Sequence, residues 1–185
     1  MPAKKQVSKE AILQAALDII RKNGLKAVHA RILAQKLKCS TQPIYHSFKG
    51  MDELKAAITQ AIDNEYDAFV KKHIDLDNYV ISKSKAHILF ALHEKNLYKA
   101  MFLSNTLKGI SIDDIVNAEW NQKAISSIMS GFNIDKSSAK KVFINLWLLS
   151  SGLAIELAAN DMNVSEHDIN SLLTEFYERM KICYA

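Results

Sequence analysis

Cysteine, proline and glycine are scarce in this sequence, with two, two and five of them among 185 residues. Cys39 and Cys183 are far apart, and neither belongs to a CxxC pair or to a Cys/His cluster with the spacing of metal ligands. We therefore expect no disulfide framework, no zinc site and no cofactor, in a reducing, cytoplasmic setting. Because the alternation of β-branched and aromatic residues that strands require is also missing, almost the whole chain is predicted to be helical.

Long uninterrupted apolar runs are missing as well. Near the amino end, Glu10 and Asp18 interrupt the apolar residues, which a secretory signal would not tolerate, so no export signal is expected. The most apolar run, residues 142–159, approaches membrane-spanning length but contains Asn145 and Glu156. We interpret this run as a buried helix and expect no association with a membrane.

The positive charge is concentrated at one end of the chain. Residues 1–50 contain ten lysines and arginines and two acids, a net charge of +8, whereas the remaining residues carry −4 and the whole chain +4. This asymmetry favours a basic module for a polyanion attached to a mildly acidic body. A solvated basic face would have the same composition, and this alternative stays open on charge alone.

Two short helices are predicted inside the basic module, ARILAQKL at 30–37 and TQPIYHSF at 41–48, separated by the three residues KCS. This is the helix-turn-helix arrangement, and in its first helix Ile32, Leu33 and Leu37 are predicted to face inward. A helix capped by Ser8 precedes it and ends at Asn23-Gly24. After a long helix that begins near residue 52, later helices are predicted at about 80–95, 97–106, 113–131, 137–160 and 165–183.

The fold class is therefore all-α, with about nine helices. A three-helix helix-turn-helix module is predicted at residues 1–50, and a larger helical domain at residues 51–185. The last helix has Ser165 and Asp168 at the spacing of a capping box.

The helix TQPIYHSF carries a proline, Pro43, in its first turn. Proline is tolerated there because its missing N–H has no acceptor within the helix, and Ser40 is predicted to be the N-cap. Ile44 and Phe48 share one face, which we assign to the core. The flanks carry Thr41, Gln42, Tyr45 and His46, whose donors suit phosphates and base edges in the major groove, although they could also be ordinary surface residues.

Residues 8–58 resemble the TetR family of bacterial transcriptional regulators. The resemblance rests on Leu33-Ala34, Cys39-Ser40, Ile44-Tyr45, Phe48 and Asp52-Glu53-Leu54, which occur in the order of the family pattern. It implies a double-stranded DNA operator as partner and DNA contacts at His29, Arg31, Thr41, Gln42, Pro43, Tyr45 and His46. We also predict DNA contacts at Ser40, before the helix, and at Lys49, whose charge suits a phosphate.

Two positions depart from the family pattern. Lys38 stands where the family has a turn glycine, which predicts either a left-handed lysine or a shifted turn. Met51 stands where the family has a lysine, so a phosphate contact there would need Lys49, Lys55 or backbone N–H groups instead.

For the larger domain, the resemblance implies an effector pocket and a dimer formed by the last two helices. The expected effector is an unidentified small molecule, apolar or aromatic. Each residue below could equally belong to an ordinary core. The pocket candidates are His87, Phe90, Phe102, Trp120, Met129, Phe143 and Trp147; the homodimer candidates are Leu153, Leu157, Ile169, Leu172, Leu173, Phe176 and Met180.

The function that follows is a ligand-responsive homodimeric repressor that binds a palindromic operator. Control by a protein partner is the first alternative. An all-helical enzyme is the second, but His93-Glu94 lacks the second histidine of an HExxH zinc motif, since Leu97 occupies that position. No histidine pair at i, i+4 and no glycine-rich phosphate loop occurs, so no enzyme activity is expected.

Overall fold

A computed structural model describes residues 7–104, 109–160 and 162–184. In these ranges the regular structure consists of ten α-helices and one 3-10 turn, Leu25–Ala27, which confirms the all-α prediction. The end of the predicted helix 97–106, residues 105 and 106, lies outside the described residues. The helices are α1 (Lys9–Asn23), α2 (Ala30–Leu37), α3 (Gln42–Ser47), α4 (Met51–His73), α5 (Tyr79–His93), α6 (Lys95–Phe102), α7 (Ile112–Asn117), α8 (Glu119–Phe132), α9 (Lys136–Asn160) and α10 (Glu166–Tyr184).

The chain forms two compact units. The first consists of residues 1–67 and 94–106, and the second of residues 68–93 and 107–185. The first unit therefore contains α1 to α3, most of α4, and α6, whereas α5 and α7 to α10 belong to the second. The functional boundary predicted at residue 50 stays a prediction.

Caps confirm both predicted ends of α1 and the predicted start of α10. Ser8 Oγ accepts a hydrogen bond from the Ala11 N–H at 3.1 Å, and Gly24, with φ 79°, ends α1. At α10 the Asp168 N–H donates to Ser165 Oγ at 3.1 Å while the Ser165 N–H donates to Asp168 Oδ2 at 3.2 Å. These side chains satisfy N–H groups that have no acceptor inside their own helix.

The core of the first unit is built from the apolar faces of its short helices. Ile12 and Ile20 of α1, Leu33 of α2 and Ile44 of α3 are almost completely buried. Ile32 was predicted to face inward, but 40% of its surface is exposed. The helical spacing instead buries Ala30, Leu33 and Ala34, so the inward face of α2 is narrower than its apolar composition predicts.

The prediction of a single helix at 113–131 is wrong, because Ala118 separates α7 from α8. Ala118 has an extended ψ of 137°. The side-chain amide of Asn121 donates to the Ile115 carbonyl at 2.9 Å, and that of Gln122 donates to the Val116 carbonyl at 3.0 Å. These two amides satisfy carbonyls that a continuous helix would have bonded, which stabilises the break.

Helix α9 is central to the second unit and packs mainly against α5 and α8. Its buried positions include Val142, Phe143, Leu146 and Leu157. Among the described residues it is also the one helix long and apolar enough to cross a membrane by length and composition, a test that core helices of soluble proteins pass as well.

Candidate nucleic-acid interface

The two short helices of the basic module are present, as predicted, with residues 38–41 between them. Helix α3 begins one residue later than expected, so the prediction of Ser40 as N-cap is wrong. Thr41 is the N-cap and already has helical angles, φ −71° and ψ −17°. Its carbonyl accepts from the N–H groups of Ile44 and Tyr45 at 3.1 and 3.2 Å.

Pro43 explains why Thr41 makes no side-chain cap bond. An N-cap side chain normally accepts from the second or third N–H of its helix. Here the second residue is Pro43, which has no N–H, and the third is Ile44, whose N–H is bonded to the Thr41 carbonyl. The carbonyl of Thr41 therefore takes the place that its hydroxyl would otherwise occupy as acceptor.

The faces of α3 divide as the spacing predicts. Ile44 and Phe48 are buried, with 1% and 3% of their surface exposed. On the other side Tyr45 is 53% exposed, and Gln42 and His46 are exposed as well. Thr41 and Pro43 are half-buried, as expected for residues at the first turn. DNA contact by these residues stays a prediction.

The other predicted DNA residues also lie on the surface. His29 is the N-cap residue of α2, and its side chain, like those of Arg31, Ser40 and Lys49, is exposed. The backbone N–H of Lys49 donates to Glu53 Oε2 at 2.8 Å. The side-chain ammonium group of Lys49 takes no part in this bond.

Of the two alternatives predicted at the turn, a left-handed lysine or a shifted turn, the structure has the left-handed lysine, Lys38. It has φ 52° and ψ 47° and forms the C-cap of α2. Its N–H donates to the Gln35 carbonyl at 3.2 Å, and the Cys39 N–H donates to the Ala34 carbonyl at 3.0 Å. The helix therefore ends in the left-handed conformation that glycine usually adopts there, with Lys38 in the glycine position.

The positive charges of the basic module fall into two groups. Lys36 lies 3.0 Å from Asp18, Lys9 lies 3.7 Å from Glu53, and Arg21 is bonded to two carboxylates. The hydrogen bonds from Lys36 and Gln14 lower the pKa of Asp18. Among residues 7–50, the cations without an ion-pair partner in the described part of the chain are Lys22, Lys26, Arg31, Lys38 and Lys49.

Arg21 is the centre of a polar cluster that links α1, α4 and α6 in the first unit. Arg21 Nε donates to Glu94 Oε2 at 3.1 Å, its terminal nitrogen donates to Glu65, and the Asn96 amide donates to the Arg21 carbonyl at 2.9 Å. Burial lowers the pKa of Arg21, but the two carboxylates outweigh it and the net shift is upward. Sequence reasoning missed this cluster, since no motif connects residues so far apart.

The predicted effector residues do not all share an environment. Phe102 belongs to the first unit, where its ring centroid lies 5.3 Å from that of Tyr66 and 4.7 Å from that of Tyr98. Burial raises the pKa of both tyrosines. Tyr98 is buried and Tyr66 is half-buried, and sequence reasoning singled out neither residue.

The other predicted effector residues belong to the second unit. Phe90 and Phe143 are buried, and Met129 and Trp147 are half-buried. Burial, with a smaller contribution from the charge of Lys83, lowers the pKa of His87 to about 4. Trp120 is 76% exposed, which contradicts its assignment to an interior pocket.

A small cleft of about 140 Å³ opens where the start of α5 meets α8 and α10. Tyr79, Ser127, Gly131 and Tyr177 are among its lining residues, and none of the seven predicted effector residues is. Its volume is below the roughly 300–1,000 Å³ that is typical of ligand pockets.

The predicted dimer residues separate into core and surface. Leu157, Ile169 and Leu173 are completely buried within the second unit, so they cannot also form an interface, and these three predictions are wrong. Leu153, Phe176 and Met180 are half-buried, and Leu172 is 41% exposed. This apolar stripe packs against its own chain, and spacing alone does not distinguish such packing from packing against a second copy.

Another surface of α9 is apolar and exposed. Leu148 and Ile155 are 50% and 38% exposed, and Gly152 lies between them at helical spacing. Nothing lies within 4 Å of a Cβ built on Gly152. Sequence reasoning could have found this stripe from its i, i+4, i+7 spacing, but the stronger apolar run concealed it.

Comparisons with known proteins bear on the fold. No protein-family model and no curated protein matches the sequence. Among solved structures, a transcriptional regulator from Rhodococcus sp. Rha1 covers 95% of this chain and 96% of its own, at 16% identity and a TM-score of 0.64. A TetR variant from Acinetobacter baumannii AYE in complex with minocycline covers 96% and 98%, at 15% identity and a TM-score of 0.60. The chain has the TetR fold.

A third structure with this fold is the multidrug binding protein EbrR complexed with imidazole. It covers 89% of this chain and 92% of its own, at 15% identity and a TM-score of 0.56. The TetR fold confirms the architecture that the resemblance of residues 8–58 implied. Within the part of the chain that the structure describes, no three His, Cys, Asp or Glu side chains are grouped to hold a metal ion.

Proposed function

We propose that the protein is a homodimeric transcriptional regulator that binds double-stranded DNA through α2 and α3 and acts in the cytoplasm. The observation that carries this proposal is the composition of α3. Ile44 is buried and holds the helix on the module, while Gln42, Tyr45 and His46 are exposed. Lys38 and Lys49, which precede and follow α3 in the sequence, have no ion-pair partner among the described residues. Such a helix can enter a major groove while the surrounding cations neutralise phosphates.

Gln42 is the proposed base-reading residue. A glutamine side chain can donate to and accept from one adenine edge, which distinguishes adenine from other bases in the major groove. Tyr45, Arg31 and Lys49 are proposed to bind phosphates, which fixes the position of α3 without reading the sequence.

The dimer is proposed to form through the exposed stripe of α9, Leu148, Gly152 and Ile155, together with Leu172 of α10. Gly152 would allow a close approach of the two copies of α9, and the leucine and isoleucine side chains would be removed from water on association. A two-fold dimer presents two copies of α3, which fit a palindromic operator when they are about 34–36 Å apart or a multiple of one helical turn.

A small, apolar or aromatic effector is proposed to control DNA binding, so that the unliganded protein represses. The structures with minocycline and with imidazole support a small-molecule effector for this fold. Helix α4 follows α3 directly and runs for 23 residues, so a shift of α4 on effector binding would move the two recognition helices, one α3 from each copy, relative to the operator grooves.

DNA binding is tested by fluorescence anisotropy with two labelled duplexes of equal length, one from the region flanking the gene and one of random sequence. We expect tighter binding to the flanking duplex and a strong decrease of affinity for both as salt rises. If neither duplex binds at low salt, the proposal is wrong.

A further inference from the structure

Lys38 is an exception among the residues with positive φ. In the described part of the chain these are Gly24, Gly109, Asn133 and Lys38. Glycine adopts positive φ without strain, and asparagine is enriched there because its short side chain can bond locally. Asn133, with φ 54°, ends α8 as Lys38, with φ 52°, ends α2. At the same kind of helix end, Asn133 is well suited to the left-handed conformation and Lys38 is poorly suited to it.

The fold itself gives no reason for a lysine at this position. The two hydrogen bonds that close α2 come from the backbone N–H groups of Lys38 and Cys39, which glycine or asparagine would supply equally well. The Lys38 side chain is exposed and makes no hydrogen bond or ion pair with any described residue. Its neighbour Lys36, by contrast, is held 3.0 Å from Asp18.

The position of Lys38 relative to α3 gives a reason. Lys38 is three residues before Thr41, the N-cap of α3, so the two Cα atoms are at most about 10 Å apart. A lysine ammonium is a mobile point charge that binds phosphates readily. When α3 enters a groove by its amino-terminal residues, the turn before it comes close to the phosphates at the edge of that groove.

We propose that Lys38 binds a DNA phosphate next to the groove that α3 enters, and that the left-handed strain at the turn is tolerated for this contact. The proposal rests on the proposed DNA binding through α2 and α3. Lys38 supplies a cation at the turn, which a glycine there could not do. Because the contact is with the phosphate backbone, it contributes affinity without sequence preference.

Three substitutions separate the charge of Lys38 from its backbone conformation. Lys38→Arg keeps the charge, Lys38→Asn removes it and suits the left-handed turn, and Lys38→Gly removes it and relieves the strain entirely. Lys141→Gln removes an exposed charge from α9 in the second unit and is the control for net charge. The probe is a labelled duplex of random sequence, about three helical turns long, titrated between about 50 and 200 mM salt.

We expect Lys38→Asn and Lys38→Gly to lower the salt slope, the dependence of log K on log salt, by about 0.9 for each phosphate that is no longer neutralised, or about 2 for a dimer. Lys38→Arg and Lys141→Gln should keep the wild-type slope. The same substitution should make the fold more stable, because glycine relieves the left-handed strain. We expect the melting temperature of Lys38→Gly to be about 2–4 °C above that of the wild type.

Stronger folding with weaker DNA binding in Lys38→Gly would support the proposal. If Lys38→Asn and Lys38→Gly bind the duplex with the wild-type slope, the phosphate contact is wrong, although DNA binding by the protein stands. If the wild-type protein itself does not bind the duplex at the lowest salt concentration, the proposed function fails first.

Discussion

Arg21 Nε of α1 lies 3.1 Å from Glu94 Oε2, at the N-cap of α6, and Arg21 also bonds Glu65 of α4. One cation thus neutralises two carboxylates that lie 44 and 73 residues further along the chain. The side chains are only partly exposed, 30% for Arg21 and 26% for Glu94. Removing the guanidinium would leave two like charges close together in a site with limited access to water.

Arg21→Ala should therefore lower the free energy of unfolding by about 1–2 kcal/mol, between the effects of a surface and a buried ion pair. The measurement is urea denaturation followed by circular dichroism. Arg179→Ala is the matched control, because Arg179 pairs with Glu175 on the exposed surface of α10 and should change stability by less than about 0.5 kcal/mol. Equal losses in the two variants would contradict a special role for Arg21.

Gln42→Ala and Lys49→Ala should affect DNA binding in different ways. Removing a base contact at Gln42 should cost about 1–3 kcal/mol at one base position in each half-site and relax the preference there. Removing a phosphate contact at Lys49 should weaken binding to all sequences alike and lower the salt slope by about 0.9 per phosphate. Anisotropy titrations against the operator, single-base variants of it and random DNA distinguish them. Identical effects on operator and random DNA would mean that the recognition face is misassigned.

Ile155→Asp should disrupt the proposed dimer. A carboxylate buried without a partner in the α9 stripe should raise the dimer dissociation constant at least about 100-fold. Sedimentation velocity over a range of concentrations measures the effect. Leu76→Asp is the control, since Leu76 is 73% exposed in the connection between α4 and α5 and lies outside the stripe. A dimer of unchanged affinity in Ile155→Asp would exclude this stripe as the interface.

His87 should make the protein less stable in acid. Burial lowers the pKa of His87 to about 4, whereas an unfolded histidine titrates near 6.5, so between these values the unfolded chain binds a proton that the folded chain does not. The contribution of this residue to stability is complete above about pH 6.5 and decreases as pH falls towards 4, by up to about 1.4 kcal/mol per pH unit.

Denaturation curves at several pH values between about 4 and 7.5 test this dependence. His87→Gln should flatten it, because glutamine does not titrate in this range, while His167→Gln, at an exposed site on α10, should leave it unchanged. If His87→Gln keeps the wild-type dependence, the acid sensitivity comes from other groups.

The sequence predicted best what local interactions decide. The Ser8 cap, the end of α1 at Gly24 and the burial of Ile44 and Phe48 depend on residues within one or two turns, and all are confirmed. The left-handed angle at Lys38 was predictable as one of two alternatives, because the hydrogen bonds that close a helix require a particular backbone there.

Longer-range features could not be predicted from spacing. The break at Ala118 depends on the amides of Asn121 and Gln122, which bond carbonyls of the preceding helix. The burial of Leu157 and Leu173 depends on which surface packs within the chain, and an apolar stripe looks the same whether its partner is its own core or a second copy. Trp120 was misplaced for the same reason, since a large aromatic residue in a helical pattern has no spacing that distinguishes surface from interior.

Lys9 places the start of α1 beside the end of α3. Its ammonium group lies 5.2 Å from the centre of the Phe48 ring, just after α3, and 3.7 Å from Glu53 at the start of α4. The chain therefore enters its first helix close to the module's proposed DNA-binding helix. A fluorophore attached at position 9 would therefore lie beside Phe48, the neighbour of the proposed phosphate contact Lys49, so affinity is better measured with the label on an exposed residue of the second unit.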